Sequence, residues 1–103
     1  MSQQLKETQE QLRQEALSLR ERVIEYYRAT GDPDPFSGLP KFLEHIADVL
    51  AQDPVDARWL IKHFGGIYRV VSDSYLSMTT LGEELYTFEQ KIEEFIESIT
   101  NAG

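Results

Sequence analysis

The chain has 103 residues, no cysteine, 41% hydrophobic residues and a formal net charge of −8. This length fits one domain, and the lack of cysteine excludes disulfides and thiolate metal or redox chemistry. The acidic balance argues against nonspecific binding to nucleic acid or to an anionic membrane, because both need a basic surface on the protein.

The first predicted element is a helix over residues 2–30. Its apolar side chains recur at helical spacing, at Leu5, Leu12, Ala16, Leu19, Val23 and Tyr26. The pattern is sparse before Leu12, where five of the first fourteen residues are glutamines, and it is dense from Ala16 onward. We therefore expect residues 1–15 to project or fray, and residues 16–103 to form a single helical-bundle domain.

A loop and a short helix follow. In the segment GDPDPFSGL, residues 31–39, two prolines bias the preceding aspartates away from helical angles. Its acidic spacing lacks the glycine and glutamate of a calcium-binding EF-hand loop, so we expect a rigid turn with Phe36 in the core. Pro40 suits the first turn of the next helix, and Asp53-Pro54 predicts its end and the N-cap of the following one. The apolar residues of this short helix are Leu39, Phe42, Leu43, Ile46, Val49 and Leu50.

The central predicted element is a long helix over residues 53–78. Steps of three and four residues connect its apolar side, which consists of Ala57, Leu60, Phe64, Ile67, Val71, Ser74 and Met78. Gly65 and Gly66 interrupt this segment, and paired glycines ordinarily indicate a break. Because the phase of the apolar pattern is unchanged across the two glycines, we expect one continuous helix.

The last predicted helix begins at Thr80-Leu-Gly-Glu83, which has the form of a capping box, and it ends near Asn101. Its apolar side is the most regular in the chain and consists of Leu81, Leu85, Phe88, Ile92, Phe95 and Ile99. Most of its glutamates lie away from that side and predict an acidic outer surface. With no strand pattern and no internal repeat, the sequence predicts an all-α fold, a small up-down-like four-helix bundle with a long third helix and short turns.

No motif supports catalysis or metal binding. Neither His45 nor His63 has a glutamate three residues before it, as the di-iron carboxylate bundles require. The serines are not accompanied by a base and an orienting group, which nucleophilic catalysis needs. We therefore expect no cofactor and no metal, and we favour a protein that is not an enzyme.

One side of the predicted third helix combines cations with glycines. At about 100° per residue, Arg58, Lys62 and Arg69 fall within an arc of about 40° opposite the apolar side. The two glycines border this arc, and a helix backbone without side chains allows close approach of another molecule. With its aromatic neighbours, this predicted basic band consists of Arg58, Trp59, Lys62, Gly65, Gly66, Tyr68 and Arg69.

Three interpretations of the predicted basic band remain open. One of the protein's own helices crosses at the glycines, and the cations pair with glutamates of the last helix. In the second interpretation the band binds another protein or a second copy of the chain. In the third, an anionic ligand or a metal binds between helices near His63, Arg58 and Arg69, in a binding domain or an enzyme.

We expect a non-catalytic protein–protein interaction or self-association module that forms a homodimer and binds neither nucleic acid nor membrane. No segment has the roughly 20 apolar residues of a membrane span. Residues 1–14 are too polar for a secretory signal, so the sequence predicts a cytoplasmic protein.

Overall fold

A computed structural model of the chain describes residues 3–31 and 38–101. Within these residues every element is helical and no strand occurs, which confirms the predicted all-α class. The predicted loop over residues 32–37, including Phe36, lies outside the described residues. The elements are α1 (Gln3–Thr30), α2 (Leu39–Leu50), α3 (Ala57–His63), α4 (Gly66–Ser72), a 3-10 helix (Tyr75–Met78) and α5 (Thr80–Asn101).

The helices form an up-down bundle. Arg22 of α1 pairs with Glu84 of α5, and Lys91 of α5 pairs with Glu15 of α1, so these two helices run antiparallel. The long α1 packs against both α2 and α5. The segment formed by α3, α4 and the 3-10 helix returns along α5 in the opposite direction, which completes the order predicted from the sequence.

The predicted apolar sides of α1, α2 and α5 supply most of the core. Burying one large apolar side chain contributes about 1.5 to 3 kcal/mol, so these three rows provide most of the driving force for folding. The largest fully buried side chains are those of Phe88 and Phe95. The three rows bury Leu12, Ala16, Leu19, Val23, Leu39, Leu43, Ile46, Val49, Leu50, Leu81, Leu85, Phe88, Ile92 and Phe95.

A buried glutamine ties the start of α1 to the end of α2. The Nε2 atom of Gln9 donates to the backbone carbonyls of Leu50 at 2.6 Å and Gln52 at 2.9 Å. The last carbonyls of a helix have no partner inside that helix, so Gln9 satisfies the Leu50 carbonyl at the end of α2 as well as the Gln52 carbonyl just beyond it. The predicted division of the chain between residues 15 and 16 stays a prediction.

Two helix caps lie beside the residues that the sequence predicted. The N-cap of α3 is Asp56, whose side chain accepts a hydrogen bond from the backbone N–H of Trp59 at 3.1 Å, so the predicted cap at Asp53 is wrong. At the start of α5 the hydroxyl oxygen of Thr79, one residue before the predicted Thr80, accepts from the Gly82 N–H at 3.0 Å. In each case two suitable oxygens stand close together in sequence, and only the backbone geometry selects one.

The predicted third helix is not continuous, and this corrects the expectation drawn from its apolar phase. The segment has a turn between α3 and α4. Phe64 has φ −59° and ψ 138°, and Gly65 has φ 92° and ψ −9°. These are the angles of the two central residues of a type II turn, and the second position favours glycine because φ is positive.

The spacing of the apolar residues continues across the turn, although the turn itself is not helical. Leu60, Ile67 and Val71 are buried on both sides of the turn, whereas Phe64 and Met78 are exposed. The repeating pattern therefore reports which side of the segment faces the core. It does not report that the backbone between those residues is helical.

Candidate interaction surface

A buried carboxylate holds the start of α4. Glu89 of α5 is only 8% exposed, and its side chain accepts hydrogen bonds from the backbone N–H groups of Ile67 at 3.0 Å and Tyr68 at 3.1 Å. In a continuous helix these groups would bond to carbonyls of the preceding turn, and the break at Gly65 leaves them open. Glu89 therefore stabilises the turn between α3 and α4.

The environment of Glu89 affects its proton affinity in opposing ways. Burial raises the pKa of Glu89 above its ordinary value of 4.5, and the nearby charge of Glu93 raises it further. The backbone N–H groups of Tyr68, Ile67 and Gly65 lower the pKa by stabilising the anion. The net shift is upward, so the hydrogen bonds only partly offset the cost of burying the charge.

Glu89 is not among the site residues predicted from the sequence, although a signal for it is present. Glu89 stands four residues after Leu85 and three residues before Ile92, and both of these are buried. At helical spacing such a position flanks the apolar side of α5. A carboxylate there indicates a buried acceptor that needs donors from another element.

Three members of the predicted basic band lie away from its cations. Gly65 forms the turn, and a Cβ atom added to Gly66 would lie 2.7 Å from the ring of Phe42, so glycine lets α4 approach α2 closely. The Trp59 ring stacks on the ring of His63 with 4.2 Å between centroids, and it also lies near Phe42. Trp59 and Gly66 therefore pack on the side of the segment that meets α2.

The predicted ligand site near His63 is narrow. The Nδ1 atom of His63 lies 2.9 Å from the carbonyl oxygen of Trp59, which only accepts, so this nitrogen donates. The adjoining crevice, which Phe42 and Glu89 also line, has a volume of about 10 Å³, the scale of a single water molecule. In the part of the chain that the structure describes, no three His, Cys, Asp or Glu side chains are grouped to hold a metal ion.

The three cations of the predicted basic band point away from the core. Arg58, Lys62 and Arg69 are exposed, and none of the ion pairs between described residues includes them. The glutamate of α5 that does form an ion pair, Glu84, pairs with Arg22 of α1. Pairing of the band with the last helix of the same chain is therefore not seen among residues 3–31 and 38–101.

Large apolar side chains are exposed in the same part of the molecule. Every strongly exposed large hydrophobic side chain of the described residues falls within residues 61–78. Three of them, Ile61, Phe64 and Tyr68, belong to α3, α4 or the turn between them, and large exposed apolar side chains are typical of interaction sites. The exposed fractions of all these side chains are 52% for Ile61, 46% for Phe64, 61% for Tyr68, 71% for Tyr75 and 84% for Met78. We define the α3–α4 face as Arg58, Ile61, Lys62, Phe64, Tyr68 and Arg69.

In comparisons with known proteins, no family model, curated protein or solved structure matches this chain. Among the described residues, none of the helices combines the length and apolar character that crossing a membrane requires. The α3–α4 face is thus the feature from which a function is argued.

Proposed function

We propose that this protein is a non-catalytic interaction module that binds another protein chain through the α3–α4 face. The observation that carries the proposal is the coincidence of exposed apolar side chains with cations that have no partner among the described residues. Aromatic and arginine side chains supply much of the binding energy at protein interfaces. Tyr68 and Arg69 are adjacent examples on α4.

The chemistry of the α3–α4 face specifies the partner. Residues 57–72 contain three cations and no carboxylate, although the chain as a whole is acidic. A partner that offers apolar side chains to Ile61 and Tyr68, with carboxylates around them, would match both the apolar and the charged part of the face. The acidic remainder of the chain would repel nucleic acid and anionic lipid, so an acidic protein surface is the best match.

The alternative, an anionic-ligand or metal site near His63, Arg58 and Arg69, has less support from the geometry. His63 already donates to the carbonyl of Trp59, and the crevice beside it has the volume of about one water molecule. The two arginines are exposed, and neither of them lines the crevice beside His63. We therefore favour a protein partner.

Charge reversal on the α3–α4 face tests the proposal. The Arg58→Glu, Arg69→Glu double variant replaces two exposed cations, and we expect it to capture at least about tenfold less of the protein that the wild type binds in native lysate. The matched control is Lys6→Glu, Lys41→Glu, which makes the same change in net charge at exposed positions of α1 and α2. Circular dichroism checks that both variants are folded.

The outcomes separate the two candidate functions. Loss of bound protein in the face variant, with retention in the control, supports the interaction module. Equal capture by the wild type and the folded face variant contradicts it. A small anion or a metal found on the wild type by native mass spectrometry, with no bound protein, supports the ligand site instead.

A further inference from the structure

The α3–α4 face continues without interruption onto α5. The Tyr68 ring lies 5.3 Å from the ring of Tyr86, and the hydroxyl groups of Ser72 and Tyr86 are 3.3 Å apart. Beside Tyr86, three exposed glutamates lie within about 80° of one another on the same side of α5. We define this acidic side of α5 as Glu83, Glu93 and Glu97.

The charged and apolar side chains of this surface form three rows. On α4, Tyr68 is about 100° around the helix from the buried Ile67, and its contact with Tyr86 shows that this direction leads to α5. Arg69 is about another 100° further and points to solvent. The apolar phase is the same in α3 and α4. Ile61 therefore stands on the same side of α3 as Tyr68 does on α4, and Lys62 stands on the same side of α3 as Arg69 does on α4.

The order across the surface is therefore cations, then apolar side chains, then glutamates. The cations are Arg58, Lys62 and Arg69, the apolar row is Ile61 and Tyr68, and the acidic row on α5 is Glu83, Glu93 and Glu97, with Tyr86 among these glutamates and in contact with Tyr68. Among the described residues no ion pair involves a member of either charged row. The two charged rows thus have equal numbers of opposite charges and no partners within these residues.

We infer that the partner of the α3–α4 face is a second copy of this chain, an inference that rests on the proposed function. A two-fold axis parallel to the helices and running along the apolar row brings the cations of each copy onto the glutamates of the other. The two apolar rows then meet at the centre. Such an interface is self-complementary, as closed dimers require.

Other arrangements of two copies are unfavourable. A two-fold axis perpendicular to the helices would place cations on cations and glutamates on glutamates, which costs several kcal/mol in like-charge contacts. Only the parallel axis uses both charged rows of both copies. The surface therefore selects one dimer geometry.

The observed hydrogen bonds set which charges meet. Ile67 is level with Glu89, and Ser72 is level with Tyr86, so residue numbers on the two elements change in opposite directions. Extending this relation along α3 places Lys62 level with residues 92–94 and Arg58 level with residues 94–98. In the dimer Lys62 of each copy therefore faces Glu93 of the other copy, and Arg58 faces Glu97.

A charge exchange between two variants tests the dimer. One variant is Arg58→Glu, Lys62→Glu and the other is Glu93→Lys, Glu97→Lys; all four positions are exposed, so both variants should fold. We expect the wild type to have twice its chain mass of 11.9 kDa in light scattering at high micromolar concentration. Each variant alone should be a monomer because like charges meet in both halves of its interface.

Mixing the two variants in equal amounts should restore the dimer, because every charge then meets an opposite one. The Lys6→Glu, Lys41→Glu control should dimerise as the wild type does. A monomeric wild type, variants that dimerise alone, or a mixture that stays monomeric would each overturn the inference. Circular dichroism confirms folding before each measurement.

Disulfide trapping provides a second test of the same geometry. The natural chain has no cysteine, so Lys62→Cys and Glu93→Cys introduce single thiols. The mixed variants should form a crosslinked heterodimer under mild oxidation at least about tenfold faster than Lys62→Cys mixed with a Lys41→Cys control. Equal rates in both mixtures would overturn the predicted pairing.

The results also separate this inference from the proposed function. Suppose that the wild type is a monomer and that the Arg58→Glu, Arg69→Glu variant loses a captured protein that the control retains. The partner is then not a second copy of this chain, but the protein is still an interaction module. If the wild type is a monomer and the face variant captures the same protein as the wild type, both are wrong.

Discussion

The α5 helix and the α3–α4 segment have similar apolar patterns but different backbones. Each repeats apolar residues in steps of three and four, which predicts one amphipathic helix. α5 is a single helix of 22 residues, whereas the other segment contains two helices of seven residues each with a turn between them. An unbroken apolar pattern therefore predicts which side of a segment is buried, but it does not determine whether the helix is continuous.

The two segments also differ in what they expose. Along α5 the predicted apolar side is buried from Leu81 to Phe95, and the exposed outer surface is polar and includes four glutamates. The α3–α4 segment buries Leu60 and Ile67 but exposes Phe64 at the turn between them. The broken segment thus loses part of its apolar burial, and the apolar surface left exposed is the basis of the proposed interaction.

The largest expected effect concerns the junction between the 3-10 helix and α5. A Cβ atom added at Gly82 would lie 2.0 Å from the carbonyl oxygen of Leu76, which is backbone and cannot rotate away. We expect Gly82→Ala to lower the free energy of unfolding by at least about 3 kcal/mol in urea denaturation, since overpacking forces the backbone to shift. The exposed Gln90→Ala in the same helix is the control. A Gly82→Ala variant as stable as this control would contradict the close contact.

The second largest expected effect is that of removing the Glu89 carboxylate, which links α5 to the start of α4. We expect Glu89→Ala to lower the free energy of unfolding by about 2 kcal/mol, because two backbone N–H groups lose their acceptor in a site with little water. Amide hydrogen exchange at Ile67 and Tyr68 should become faster. The exposed Glu94→Ala is the matched control in α5, and unchanged exchange at both amides would show that Glu89 does not hold α4.

A substitution at Gly65 tests whether the chain has a turn between α3 and α4, because the sign of the change in the free energy of unfolding differs between a turn and a continuous helix. Gly65 has a φ of 92°, so Gly65→Ala should lower the free energy of unfolding by about 1 to 2 kcal/mol. In a continuous helix the same change would raise it by about 1 kcal/mol, because alanine is the better helix former. Thermal and urea unfolding measure the sign, and increased stability would restore the continuous helix that the sequence predicted.

The smallest expected effect is a dependence on pH. The pKa of Glu89 is raised above 4.5 in the folded chain, so the folded state binds this proton more tightly than the unfolded state. The contribution of Glu89 to stability is therefore greatest at low pH, and it falls as pH rises from about 4.5 through the folded pKa. Comparing urea unfolding of the wild type with Glu89→Gln at several pH values isolates this contribution. A difference that stays constant across this range would contradict the raised pKa.

Much of the fold could be predicted because the relevant signals are local. Apolar residues such as Leu12, Leu43 and Phe88 recur at helical spacing within their own segments, and this spacing alone predicts four segments and their buried sides. Part of the candidate surface followed in the same way. Arg58, Lys62 and Arg69 could be placed on the outer side because they stand opposite Leu60 and Ile67.

Local sequence patterns were thus sufficient to predict the all-α class, the order of the segments and the side of each that faces the core. The break of the third segment at Gly65, and the hydrogen bonds from the N–H groups at the start of α4 to Glu89, 22 residues after Ile67, are apparent only when the packed helices are seen together. Periodicity describes one segment at a time and contains no information about such a distant partner. The exposure of Phe64 follows from this break, because Phe64 lies in the turn between two short helices where the local pattern predicts one long helix.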